Sequence, residues 1–356
     1  MKKSIFLLIL WLAAGCAGAV ATTPTPGASS LIQTGITPGA PGTLPMTWGG
    51  HGLSGHLLVI QYHESGASLI RLDLATGNFE TLFQAPSGSL LNTAALSPDG
   101  KQLILAYAPP KEGEIQLGYT DFYLVTLGST DPPQALKLRQ DANESYFGPV
   151  WSPDGKTIVY AHFFVTTVDK KAVYHYASER TDLNGKSETL IADTFWPVLS
   201  PDGSRLSYVT ANLVSSSNDL YISDPDGKNA LALTTPGTTN PVDSHVFSPD
   251  GKTIYFSMVN PQTPPAASWF DNLFGIKIAS AHNVPSDWYR EPAAGGKIER
   301  VTNVNDSGMY GAVSPDGQRL AFISASGLYA VNTDGTDLVQ LSNAVFQGNG
   351  NIQWLP

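Results

Sequence analysis

The stretch ALSPDGKQLILAY, residues 95–107, recurs as VWSPDGKTIVYAH (150–162), VLSPDGSRLSYVT (198–210), VFSPDGKTIYFSM (246–258) and AVSPDGQRLAFIS (312–324). Each copy sets Ser-Pro-Asp-Gly between two short apolar runs. Proline at the second turn position fixes φ at about −65°, aspartate bonds its own backbone, and glycine accepts the left-handed conformation. The motif therefore predicts an antiparallel hairpin, a type I turn followed by a glycine bulge. The run after it, as in Thr157-Ile158-Val159-Tyr160, has the β-branched and aromatic make-up of a strand.

The motif serines lie 55, 48, 48 and 66 residues apart. Each interval has room for more than one hairpin. Leu220 to Gly227 followed by Leu231-Ala232-Leu233-Thr234, and Leu328 to Gly335 followed by Leu338 to Leu341, add a third strand, an Asp/Asn turn and a fourth strand. Four strands per repeat make the blade of a β-propeller. A further unit without the motif begins at His56-Leu57-Leu58-Val59-Ile60 and lacks an innermost strand. Asn351-Ile352-Gln353-Trp354-Leu355-Pro356 parallels Gly148 to Pro153 and supplies it. The expected fold is all-β: a six-bladed propeller of four-stranded antiparallel blades, the first closed by the C-terminal strand, over residues 47–356. Closure removes the open sheet edges of a linear array.

These repeats resemble those of TolB-type periplasmic proteins, which are WD-repeat-like propellers, and of the propeller domain of prolyl-oligopeptidase-like peptidases. The resemblance rests on the Ser-Pro-Asp-Gly hairpin and the Tyr-x-x-Asp-x-x-Gly turn. It implies a fold and leaves the activity open, because one scaffold hosts many functions.

The N-terminus reads as an address. Lys2 and Lys3 precede a short apolar stretch, Ile5 to Ala14, and Ala13-Ala14-Gly15 leads into Cys16. That is the layout of a secretory signal peptide, residues 1–15. Leu12 and the small residues before Cys16 resemble a bacterial lipobox, which implies cleavage before Cys16, lipidation of its thiol and attachment to the extracytoplasmic side of a bacterial membrane, periplasmic or at the cell surface. A plain signal peptide with an incidental cysteine is the alternative. Residues 16–46, rich in Pro, Thr, Gly and Ala, read as a flexible tether.

The chain carries a net charge of −10, with 42% hydrophobic residues, 34 Gly and 26 Pro. That balance argues against nucleic acid, which needs a basic footprint. There is one cysteine, Cys16, so no intrachain disulfide forms. No Gly-x-Ser-x-Gly elbow, HExxH, P-loop or dinucleotide fingerprint occurs. The seven histidines are scattered, without zinc-ligand spacing. Asp224-Pro225-Asp226-Gly227 and Asn332-Thr333-Asp334-Gly335 lack the other positions of a calcium loop and read as turns. No cofactor is expected.

A ligand is expected on the face opposite the Ser-Pro-Asp-Gly turns, where loops lead into the innermost strands. Tyr146, Trp196, Asp243, His245 and Tyr310 sit there; Phe147 and Phe195 read as packing between blades. Asp243 and His245 are two apart and share a strand face, so they are the one acid/base candidate. In blade five, 28 residues intervene between Met258 and Asp287. Trp269, Phe270, Leu273 and Phe274 recur there at helical spacing, so a short amphipathic helix is expected, either a partner-docking element or a cap on its own blade. The leading expectation is a monomeric, membrane-anchored recognition or scaffold propeller that binds an envelope protein, peptide or glycan without catalysis. A hydrolase or lyase acting on saccharide or peptide in the central channel is the alternative.

Overall fold

The computed structural model describes residues 42–43, 52–63, 66–111, 118–210, 218–236, 240–260, 284–344, 346–347, 350 and 352–356. The leader, Cys16, nearly all of the expected tether and the blade-five insert with Trp269 and Phe270 lie outside them. Among the described residues there is no helix, and every strand pairing is antiparallel.

Apart from β1 (Gly42–Thr43), the strands fall into six sheets arranged as blades. Blade one holds β2 (His56–His63), β3 (Gly66–Asp73) and β4 (Asn78–Ala85). Blade two is β5 (Leu90–Leu96), β6 (Gln102–Ala108), β7 (Asp121–Thr126) and β8 (Gln134–Lys137). Blade three is β9 (Ser145–Trp151), β10 (Thr157–Val168), β11 (Lys171–Asp182) and β12 (Ser187–Ala192). Blade four is β13 (Thr194–Leu199), β14 (Leu206–Thr210), β15 (Leu220–Ser223) and β16 (Leu231–Ala232). Blade five is β17 (Val242–Phe247), β18 (Thr253–Val259), β19 (Ser286–Pro292) and β20 (Glu299–Arg300). Blade six is β21 (Tyr310–Val313), β22 (Arg319–Ser324), β23 (Gly327–Asn332) and β24 (Val339–Ser342). The innermost strand of blade one comes from the chain's end, in two pieces: β25 (Phe346–Gln347) beside Ile60 and Gln61, and β26 (Gln353–Leu355) beside His56 to Leu58. On the outer side, Gly42 and Thr43 pair with Phe79 and Asn78 of β4, so the segment read as tether ends as an extra edge strand.

The strand after each motif is apolar on both sides because a blade packs against a neighbour on each face. In β6, Leu103 to Ala108 are all buried. A buried apolar cluster fills each of the six seams, from Leu57, Ile70 and Ile323 between blades one and six to Val159, Leu206 and Tyr208 between three and four. The outermost strands of blades four and five, β16 and β20, have only two residues each, which leaves little open edge there.

All five Ser-Pro-Asp-Gly turns use the same bonds. In each, the buried serine's hydroxyl donates to the aspartate at 2.6–2.7 Å and accepts the amide five residues on at 2.9–3.0 Å. The serine hydroxyl and nearby amides hold all five aspartates below the ordinary value, Asp202 at about 2. The turns also touch across blades. A Cβ on Gly203, at φ 72°, would stand 3.2 Å from Cδ of Pro153 one blade earlier. Gly155, Gly251 and Gly317 face Pro98, Pro201 and Pro249 in the same way, at 3.7–4.0 Å. The motif is thus an interblade seam as well as a turn.

Candidate recognition face at the channel mouth

Opposite the motif turns lie the loops that lead into the innermost strands and those joining each blade's second and third strands. Among the described residues, the most prominent feature on this face is the hairpin of β10 and β11. Both strands run twelve residues, and Val168 pairs with Lys171 across a two-residue turn. Asp169 and Lys170 have φ 49° and 64°, the positive values that a type I′ turn needs. β9 accompanies β10 only to Phe163, and β12 accompanies β11 only to Ala177. The five residues 164–168 and their partners therefore project beyond the blade as a bare ribbon, about 16 Å long at ~3.3 Å per residue.

One face of this arm carries an aromatic path towards the axis. Tyr119, from blade two, meets Phe163 at 6.3 Å between ring centroids. Phe163 meets Tyr174 at 6.2 Å and Tyr176 at 5.1 Å. Tyr176 then meets Phe195 at 5.6 Å, and Phe195 meets Trp196 at 4.4 Å. The path runs from the 43% exposed Tyr174 to the buried Trp196. Phe147 and Phe195 pack against the cluster between blades four and five, as interblade residues.

At the arm's base sits a polar cluster the sequence reading missed. His162 lies between two carboxylates, with Nε2 2.8 Å from Glu144 Oε1 and Nδ1 2.9 Å from Glu179 Oε1. Tyr146 donates its hydroxyl to Glu144 and Tyr160 donates to Glu179, both at 2.6 Å. The amides of Gln140 and Asp141 occupy the other Glu144 oxygen. Lys137 Nζ lies 4.7 Å above the Tyr146 ring. Burial acts to raise both carboxyls. Tyr146, Gln140 and His162 outweigh it at Glu144, as His162 and Tyr160 do at Glu179, and both carboxyls end below the ordinary value. Register could have exposed the cluster: the arm's turn places Tyr160 opposite Glu179, one alternation from His162 on the same face.

Along the axis, bulges interrupt the innermost strands. They lie at Asn92, at Gly148-Pro149, at Trp196-Pro197 and at Asp243-Ser244. Trp196 takes φ 52°, a rare conformation for a bulky residue, and its ring walls the axis. Gly148 faces it: a Cβ there would lie 3.6 Å from Trp196 Cδ1. A Cβ on Gly350, beside the closing strand, would lie 2.8 Å from Thr93 Cγ2. Among the described residues, two cavities there measure about 30 and 20 Å³, walled by Thr93, Gly148, Trp196 and Gly350 and by Asn92, Thr93, Ile323 and Gly350. Such spaces hold a water molecule and are far too small for a sugar ring.

The five described residues expected at the mouth are all buried, none more than 8% exposed. They stand in the walls between blades and along the axis, where bulges turn the innermost strands at Trp196 and at Asp243-Ser244. Tyr146 is locked to Glu144, and burial together with that carboxylate pushes its phenol far above the ordinary value. Trp196 lines the axis. His245 is fully buried, which lowers its pKa to about 4, and the backbone of Ser207 in blade four and of Asp243 partly offset that. It is a neutral interblade peg. Tyr310 is fully buried; burial, then the Asp243 carboxylate, raises its phenol. The structure therefore brings Asp243 near Tyr310, and sets His245 against blade four. The Asp224 and Asn332 turns are closed by their own glycine amides, at 2.9 and 2.8 Å.

No protein-family model matches the chain, and no curated protein matches it. Solved structures share its fold. TolB from Acinetobacter baumannii superposes with a TM-score of 0.59 at 16% identity, over 85% of this chain and 67% of that one. A structure from a nidogen/laminin complex gives 0.56 at 14% identity, over 85% and 99%. Oligogalacturonate lyase in complex with manganese gives 0.50 at 16% identity, over 78% and 71%. At these identities the likeness is one of fold alone.

Proposed function

We propose that this chain is a membrane-anchored, extracytoplasmic recognition propeller that binds an envelope protein, peptide or glycan on the face bearing the arm, without catalysis. The observation that carries this reading is the contrast on that face. Its rim offers a partly exposed aromatic path on a projecting ribbon, whereas the cavities described beside the axis are water-sized. Half-exposed tyrosines are the residues a recognition surface uses. The fold neighbours include a protein from a nidogen/laminin complex and TolB, and also a lyase. Chemistry in the central channel would have to reach Asp243 and His245, which are 2% and 0% exposed.

The leader supports an extracytoplasmic address, and Cys16 a lipid anchor there. Labelled palmitate should enter the chain and be lost in Cys16→Ser. For recognition itself, crosslinking on intact membranes followed by pull-down is the test. One envelope component recovered in every replicate supports the reading; turnover of a saccharide or peptide by the purified chain, with no adduct, overturns it.

A further inference from the structure

The arm's turn decides which backbone groups it leaves open. Val168 and Lys171 close a two-residue turn, so their amides and carbonyls face each other. Alternation along an antiparallel pair then directs those of Thr167, Val165 and every second residue back along β10 to the opposite side. Thr157 obeys this: its carbonyl accepts the amide of Ser152, on the β9 side, at 2.8 Å. β9 ends opposite Phe163. Among the described residues, the N–H and C=O groups of Val165 and Thr167 therefore form an edge with no strand beside it.

We propose that this edge pairs with the same edge of a second copy of the chain, antiparallel and centred on Thr166. In that register Val165 lies opposite Thr167 of the second copy and exchanges two hydrogen bonds with it, and the two-fold axis repeats the pair. All four open groups of each chain are then satisfied by four bonds. Thr166 meets its own counterpart on the axis, and Phe164 meets Val168 on the same face. Only a register centred on a residue keeps like faces together across a two-fold, and Thr166 is the centre that engages both open residues.

The edge suits this pairing. Phe164 to Val168 contains no charge, no proline and no glycine, which makes an exposed strand a template for its like. The arm's other edge is guarded. There the open residues are Ala172 and Tyr174, and pairing about Val173 would set Lys171 against His175. A two-stranded ribbon is marginal by itself, and pairing turns two ribbons into a four-stranded sheet. It would also cover Val168, 55% exposed. The contact is isologous and closes at two copies.

Sedimentation of the full chain in detergent tests this. The wild type should run at the mass of two chains and Thr166→Lys at that of one, because two lysines would meet on the axis. Unchanged thermal unfolding shows that the variant is folded. Cysteine variants read the register without disturbing the strand. Thr166→Cys should bridge two chains on mild oxidation, since facing residues of a non-hydrogen-bonded pair meet disulfide geometry, and Thr167→Cys should not. Cys16 is common to both variants and to the wild type, so any bridging of its own appears in the wild-type control. A wild type monomeric at all concentrations, a dimeric Thr166→Lys, or equal bridging at positions 166 and 167 would each overturn the proposal.

Discussion

The side chain of Gln353, on the last strand, clasps the backbone of Leu96 in blade two: its Oε1 accepts the Leu96 amide at 2.7 Å and its Nε2 donates to the Leu96 carbonyl at 3.4 Å. The chain's end is thereby fixed to blade two as well as to blade one. Trp151 Nε1 bonds the Ala95 carbonyl at 3.1 Å, so blade three holds the same strand from the other side. Gln353→Ala leaves the two Leu96 groups without these bonds and should cost about 1–3 kcal/mol. Deleting residues 350–356 should cost more, because it reopens the ring. Urea unfolding of both variants checks the order.

The seam between motif turns gives a paired prediction. Gly100 and Gly203 have nearly the same φ, 70° and 72°, but only at Gly203 would a Cβ crowd a proline of the preceding blade. Both alanine variants suffer the left-handed backbone penalty, roughly 1–2 kcal/mol. Gly203→Ala should lose more than Gly100→Ala, and the difference should shrink when Pro153 is also changed to Ala. Thermal melts of the three variants decide it.

His245 predicts a pH dependence. Its folded pKa, about 4, lies below the ordinary 6.5, so the neutral ring is favoured by folding. Its contribution is complete above pH 6.5 and is lost as pH falls towards 4, by about 3 kcal/mol at one kcal-scale step per unit. His245→Gln should show a flatter stability profile over that window, measured by urea unfolding between pH 7 and 4.

The cluster under the arm predicts a further loss at lower pH. Glu144 and Glu179 are held below the ordinary glutamate value. Their stabilisation is present above the unfolded value, about 4.3, and disappears as pH falls through the folded ones. Replacing His162 by Leu strands both carboxylates in a buried site and should cost about 3–5 kcal/mol near pH 7. Proteolysis within 163–176 should also rise, since the cluster anchors the arm's base.

The fold was legible because it rests on local chemistry repeated along the chain. Ser-Pro-Asp-Gly writes its own hairpin, and Gln353-Trp354 echoes Val150-Trp151 closely enough to announce the closing strand. The mouth was not legible. Whether Trp196 or His245 faces solvent depends on how near Gly148, Thr93 and Gly350 come across the axis, a matter of ring closure and bulges that no single repeat encodes. The Glu144, His162 and Glu179 cluster was hidden for a related reason. Its members stand on a loop and two strands, and become neighbours only once the Asp169-Lys170 turn sets the register.

The account stands or falls on which face meets a partner. A photocrosslinking residue placed at Tyr119, beside Phe163 on the arm face, and another at Asp202, in an exposed motif turn, sample the two sides in intact cells. The account predicts a single adduct, identified by mass spectrometry as an envelope component other than this chain, from position 119 and none from 202. Adducts from position 202 alone, or the same adducts from both, would contradict it.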